Sequence, residues 1–218
     1  MKNRGLLLFS VFLICLTGYS QEIVFKISKS YFRSDPFRTE FSAFMKHLVD
    51  DPFIKDKVIE KRTDTSLFYF GGTYTSDVFN PFFFKPKRME VVLSEAPIKL
   101  DSTLTDTIFV YELFVYADNN KEGNEEITKE FDKLLKRYKG NFRKSEHTVN
   151  PPDAKLQGGT YNFFDRYHAV SPFAVSLYGP TENKEMCMIL TIRMDTYDNM
   201  AMLAAPFISP VDAPAEDQ

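Results

Sequence analysis

Tryptophan is absent from this sequence and cysteine is scarce: the 218 residues include no Trp and two Cys, at positions 15 and 187. Cys15 lies in an N-terminal segment that we expect to be removed, so Cys187 would be left without a partner and an internal disulfide is excluded. Stability must then come from burial, for which 44% hydrophobic residues are ample. Phenylalanine, with 22 copies, is expected to form most of the core.

A basic excess is missing too. The chain has 27 Lys and Arg against 30 Asp and Glu. Removal of residues 1–20 takes away Lys2 and Arg4, which leaves 25 basic and 30 acidic residues and a net charge of −5. Because a chain of this charge has no surplus cations for phosphate backbones, we do not expect nucleic acid as a partner.

The short motifs of several common enzyme families are also absent. The sequence has no HExxH, no GxSxG, no phosphate-cradling glycine loop and no CxxC pair. We therefore predict no cofactor and no metal, assign no catalytic residue, and favour binding over catalysis.

The N-terminus has the pattern of a secretory signal peptide. Lys2 and Arg4 precede an apolar run over residues 6–16, and Gly18-Tyr19-Ser20 offers small residues at the two positions that a signal peptidase inspects. We predict cleavage between Ser20 and Gln21, which gives an exported protein, periplasmic or extracellular, with no stable membrane insertion.

Two alternatives for this segment are disfavoured. An uncleaved membrane anchor needs at least about 17 apolar residues, and this run is shorter. A lipoprotein, in which the thiol of Cys15 carries the lipid, needs a small residue just before the cysteine, where this sequence has Ile14.

A repeated tetrapeptide divides the rest of the chain into two parts. Gly71-Gly72-Thr73-Tyr74 recurs as Gly158-Gly159-Thr160-Tyr161. An amphipathic helical segment precedes each copy, and a Pro-Phe step leading into an apolar run follows each. We predict a degenerate internal duplication within one domain. The predicted bounds are residues 22–100 and 106–195 for the pseudo-repeats, 21–204 for the domain and 205–218 for a disordered tail.

Two helices are predicted from apolar stripes of helical period. The first begins with Asp35 as N-cap and Pro36 at the first helical position, and it ends before Pro52. The second has Asn124 as N-cap and stops at Gly140.

Strand patterns are more numerous than helical ones. They occupy residues 22–28, 58–62, 66–75, 88–94, 107–117, 154–163, 173–178 and 186–194. We predict an α+β fold with a mainly antiparallel sheet of seven to nine strands and both helices packed on one face. The other face would stay open, and it is where we expect function.

Residues 118–123 resemble the opening of an EF-hand-type calcium loop. Oxygen-bearing side chains alternate from Asp118 to Glu122, and Gly123 is the sixth residue. The twelfth position is Lys129, where the loop needs a bidentate glutamate. We therefore prefer a polar loop that caps a helix, with a calcium-dependent module between Asp118 and Glu122 as an alternative.

A hydrolytic site is a further alternative. His168 lies close in sequence to Asp165, and Cys187 could supply a nucleophile if the three side chains met in the fold. Nothing in their spacing argues for that meeting. No basic neighbour or helix N-terminus is expected to lower the pKa of Cys187.

Four phenylalanines cluster between residues 79 and 84, in a segment whose prolines make it a poor interior strand. Burial in the core would explain them, and so would an exposed interaction surface. We predict an exported binding or interaction module of unknown specificity that uses the open sheet face and this segment. Its partner would be a protein or a hydrophobic small molecule. The predicted contact residues are Phe79, Phe82, Phe83 and Phe84.

Overall fold

The computed structural model describes residues 23–63, 67–75, 77–99, 105–138, 142–144, 156–163, 171–180 and 185–195. The predicted signal peptide, the predicted tail and the pair Asp165 and His168 lie outside these residues.

Three helices and eight strands lie within the described part of the chain. The helices are α1 (residues 23–31), α2 (Phe41–Asp50) and α3 (Lys121–Arg137). The strands are β1 (Lys55–Glu60), β2 (Tyr69–Tyr74), β3 (Arg88–Lys99), β4 (Thr105–Asp118), β5 (Phe142–Lys144), β6 (Leu156–Phe163), β7 (Phe173–Tyr178) and β8 (Glu185–Asp195).

All eight strands form one antiparallel sheet in the order β1-β2-β3-β4-β8-β7-β6-β5. Two consecutive four-strand meanders are thus joined at the centre, where β4 and β8 pair from Ile108 opposite Asp195 to Asp118 opposite Glu185. The predicted α+β class and the antiparallel sheet are confirmed.

One face of the sheet carries the main core. Alternate residues of β4, including Tyr111 and Leu113, are buried under the helices. The ring of Phe44 on α2 lies 5.2 Å from that of Tyr111, and Phe41 lies 4.4 Å from Phe109. From α3, Ile127, Phe131 and Leu134 join the same core. Full burial of an aromatic side chain stabilises by roughly 2–3 kcal/mol, so these contacts dominate the fold.

The predicted first strand is wrong, because residues 23–31 form a helix. Ile23, Phe25 and Ile27 alternate as in a strand, but Val24 and Tyr31 complete a helical stripe with Ile23 and Ile27. All four residues of that stripe are at most 6% exposed. The segment fits both periods, and packing of the stripe against the rest of the core selects the helix.

The predicted helix starts also need correction. Asp35 does not cap a helix: its carboxylate accepts hydrogen bonds from the hydroxyl of Ser28 (2.8 Å) and the amide of Phe37 (3.1 Å), which makes a turn. Helix α2 begins only at Phe41, after Glu40. Helix α3 begins one turn earlier than predicted, because Asn120 and not Asn124 accepts the capping bond.

The paired glycines mark close approaches to the sheet. A Cβ on Gly72 would overlap the side chain of Ile54, and one on Gly158 would lie 3.0 Å from the ring of Phe131. Gly159, at a bulge in β6, has φ of +99°, which disfavours other residues. In both meanders, therefore, the missing Cβ of a glycine leaves room for a core side chain to pack directly against the strand.

Candidate functional site

The sheet surface opposite the helices, which we name the helix-free face, has a different composition from the core. It includes Glu90, Glu112, Phe114, Tyr116, Tyr178, Cys187, Ile189, Thr191 and Arg193, which lie on β3, β4, β8 and β7. Four of them, Tyr116, Tyr178, Cys187 and Ile189, make a small apolar cluster to which none of the described helices contributes.

A polar group lies at the middle of this face. The hydroxyl of Thr191 donates to Glu112 Oε1 at 3.0 Å. Burial raises the pKa of Glu112, against the opposing effects of that hydrogen bond and of nearby Arg193. Burial also lowers the pKa of Arg193, whose Nη1 donates to the carbonyl of Ser171 at 3.0 Å. These charged groups are already engaged by the protein.

At one end of the face, an ion-pair network joins β3, β4 and β8. Arg88 donates to Glu185 Oε2 at 2.9 Å and also to Glu90, whose other oxygen accepts from the Tyr116 hydroxyl at 3.0 Å. The Arg88 guanidinium lies 3.5 Å from the centroid of the Tyr116 ring. Sequence reasoning missed this network, although charged residues alternating with buried ones in β3 were its signal.

Cys187 does not have the properties of a nucleophile. Its side chain is 3% exposed and lies opposite Tyr116. Burial raises the pKa of the thiol to about 12, so the thiolate is scarce at neutral pH. The proposed partners His168 and Asp165 lie outside the described residues.

The structure separates the four predicted phenylalanines into two kinds. Phe82 and Phe84 are 7% exposed and belong to the main core, and Phe79 is half-buried, with its ring 5.6 Å from Tyr74. Phe83, in contrast, is 83% exposed. Only one ring of the four is therefore presented to solvent.

The backbone around Phe83 is fixed by neighbouring polar groups. The amide side chain of Asn80 donates to the Phe84 carbonyl at 2.8 Å and accepts from the Phe82 amide at 3.0 Å. Glu130 on α3 accepts from the Phe83 amide at 3.4 Å, while its other oxygen is buried without a hydrogen-bond partner. The ring is thus held out by its two buried neighbours and by α3.

Three polar side chains of the calcium-like loop are engaged within the protein. Asp118 pairs with Lys87 at 2.8 Å, Asn120 accepts from the Gly123 amide at 2.8 Å, and Asn119 accepts from Asn124. Nowhere in the described ranges do three His, Cys, Asp or Glu side chains converge to hold a metal ion. The polar side chains here cap α3 and pair with lysine.

A cleft of about 650 Å³ opens beside this loop, at the end of the sheet. Its charged lining residues include Asp77, Lys85, Lys87, Arg88 and Asp118. The cations are neutralised inside the cleft or at its edge, because Lys85 pairs with Asp77 at 3.0 Å and Lys87 with Asp118. The lysines of the cleft are therefore already paired, and its remaining charged lining residues are the carboxylates of Glu122 and Glu126.

Comparison with known proteins gives no further guide. No protein-family model, no curated protein and no solved structure matches this chain. None of the helices in the described ranges is both long enough and apolar enough to cross a membrane. The geometry of the chain's own residues must carry any functional argument.

Proposed function

We propose that this protein is exported and acts by binding another protein, with the Phe83 ring as its anchor. The observation that carries the proposal is a ring that is 83% exposed on a backbone held by Asn80 and Glu130. Aromatic side chains are enriched at the centres of protein interfaces. Because the backbone is already ordered, a partner that encloses the ring causes little further loss of conformational entropy.

Lys133 indicates the chemistry of the partner. Its ammonium nitrogen lies 2.7 Å from the centroid of the Phe83 ring, so one face of the ring is covered by a cation. A pocket that receives the ring also meets this cation at its edge. We therefore expect an apolar pocket with a carboxylate beside it.

The helix-free face is the second candidate surface, and it lies on the other side of the sheet from Phe83. The amide of Phe83 contacts α3, which packs in the main core. On the helix-free face, Tyr178 is 5% exposed and Cys187 is 3% exposed, so these side chains offer little accessible apolar area. This difference favours Phe83 as the anchor.

We also propose that the two meanders arose by duplication, with the predicted bounds of residues 22–100 and 106–195. Helices precede each meander, and the Gly-Gly-Thr-Tyr sequence lies in the second strand of each. Within the two meanders, Thr73 lies opposite Glu90 and Thr160 lies opposite Ser176, at matching places. The order of strands about the β4–β8 pair supports the same interpretation.

Photo-crosslinking in cells that produce the full chain tests the binding proposal. A photoreactive phenylalanine analogue would replace Phe83, and in a control it would replace Ile59, which is 46% exposed on the edge strand β1. We expect a discrete crosslinked protein from position 83 but not from position 59. Excess wild-type protein should compete for it, and the Phe83→Ser variant should not.

Equal products at the two positions, or none at position 83, would overturn the proposal. Native and denaturing mass spectrometry of residues 21–218 distinguishes a protein partner from a bound hydrophobic small molecule. An extra mass of lipid size, retained only in the native spectrum, would indicate a hydrophobic small molecule and contradict a protein partner.

A further inference from the structure

The connection between α1 and α2 and the last turn of α2 enclose two adjoining clefts, of about 400 and 600 Å³. Arg33, Ser34 and His47 line both of them. The turn made by Asp35 brings this connection back along α2, so that residues 33–39 face the last turn of the helix. The two clefts therefore form one continuous surface around Arg33 and His47.

Arg33 is held in a fixed orientation at this surface. Its Nε donates to Asp51 Oδ2 at 2.9 Å, and its guanidinium carbon lies 4.3 Å from the centroid of the Phe53 ring. Its two terminal nitrogens have no hydrogen-bond partner within the described ranges. A guanidinium fixed on one edge and free on the other can present two parallel donors to an oxyanion.

The acidic side chains of this surface all have hydrogen-bond partners within the protein, whereas two of the basic side chains have none among the described residues. Each aspartate that lines it accepts a hydrogen bond: Asp35 from Ser28, Asp50 from Lys46 at 2.6 Å, and Asp51 from Arg33. Two basic side chains that line it have no hydrogen-bond or ion-pair partner in the described part of the chain. These are Arg38 and His47.

Part of the negative end of α2, which lines these clefts, is engaged within the protein. The carbonyl of Val49 accepts from Lys57 Nζ at 2.6 Å, and the carbonyl of Leu48 accepts from the Asp51 amide. Two of the last carbonyls of the helix are thus already engaged.

We propose that this surface binds a phosphate group between Arg33, Arg38 and His47. Two guanidinium groups and an imidazole supply several N–H donors around one space, and a phosphate presents several acceptor oxygens with up to two negative charges. The three side chains would repel one another when charged, and a bound dianion removes that repulsion. This ligand site is independent of the Phe83 anchor.

Titration of the full chain with inorganic phosphate, followed by amide chemical shifts at fixed pH and ionic strength, tests the proposal. We expect saturable shifts in residues 33–39 and 46–48. Arg38→Ala and His47→Ala should each weaken binding, Arg38→Ala by about tenfold or more. The matched control is Arg62→Ala, which removes the same charge from an arginine paired with Glu95 and located outside both clefts.

Three results would overturn the proposal: no saturable shift with phosphate, equal weakening by all three variants, or shifts confined to other residues. Circular dichroism of each variant shows whether it is folded. Vesicles of phosphatidylcholine with and without phosphatidic acid then distinguish the source of the phosphate. Phosphate-competed pelleting with the anionic vesicles identifies a lipid headgroup, and binding of free phosphate without pelleting identifies a soluble phosphate ester.

Discussion

The two faces of this sheet differ although β3, β4, β7 and β8 contribute residues to both. The helix-covered face is an apolar core in which Phe44 and Tyr111 are at most 2% exposed. On the helix-free face, Phe114 is only half-buried and packs against the small apolar cluster, and Glu112 nearby accepts a hydrogen bond from Thr191. The comparison teaches that most apolar burial lies on one face, while the other combines a small apolar cluster with pairs of polar groups.

The largest expected effect comes from a matched pair of substitutions, one on each face, that tests whether the two faces contribute unequally to stability. Phe44→Ala on α2 should lower the free energy of unfolding by about 3–5 kcal/mol, because it leaves a cavity in the closed core. Phe114→Ala should cost less, about 1 kcal/mol, because its half-buried ring loses less contact with other atoms. Urea unfolding of the two variants measures both values, and equal losses would contradict the asymmetry.

A smaller effect on stability is expected from removing the buried charge of Glu112 on the helix-free face. Burial raises the pKa of Glu112 in the folded state above the unfolded value, so folding disfavours its charged form. Glu112→Gln keeps an oxygen for Thr191 and removes that charge, so it should stabilise the protein modestly at neutral pH. Below the unfolded pKa, near 4, the wild-type side chain is protonated in both states and the gain should vanish.

Unfolding of wild type and Glu112→Gln, measured between pH 3.5 and pH 8, checks this prediction. The gain should grow as the pH rises from the unfolded pKa through the folded pKa. A gain that is independent of pH, or a loss at neutral pH, would show that attraction to Arg193 outweighs the effect of burial.

The sequence predicted the central strands well and the N-terminal helix poorly. In β4 and β8 the long apolar run is compatible with a strand only. The predicted ranges, residues 107–117 and 186–194, therefore lie within the observed strands. Residues 23–31 satisfy strand and helix periods together, and only tertiary contacts of Val24 and Tyr31 decide between them. The turn at Asp35 depends on Ser28, seven residues earlier, which local pattern does not reveal.

For the candidate site, too, local sequence predicted where the segment lies but not which of its side chains tertiary contacts leave exposed. Composition located the phenylalanine segment, but four similar rings cannot be ranked by exposure from their order in the chain. Phe82 is buried against Tyr31, whose ring lies 5.7 Å away. Phe83 is turned outward because Asn80 hydrogen-bonds to the backbone on either side of it and its own amide donates to Glu130 on α3. Residues 47 positions apart in sequence therefore determine which ring is presented.

The smallest expected effect belongs to Phe83, and it tests the central claim that this ring serves binding and not folding. The measurement is the free energy of unfolding of Phe83→Ser beside that of its neighbour Phe84→Ser. We predict a change within about 0.5 kcal/mol for Phe83→Ser and a loss of about 3–5 kcal/mol for Phe84→Ser. A loss for Phe83→Ser comparable to that for Phe84→Ser would place the Phe83 ring in the core and contradict its role as an interface anchor.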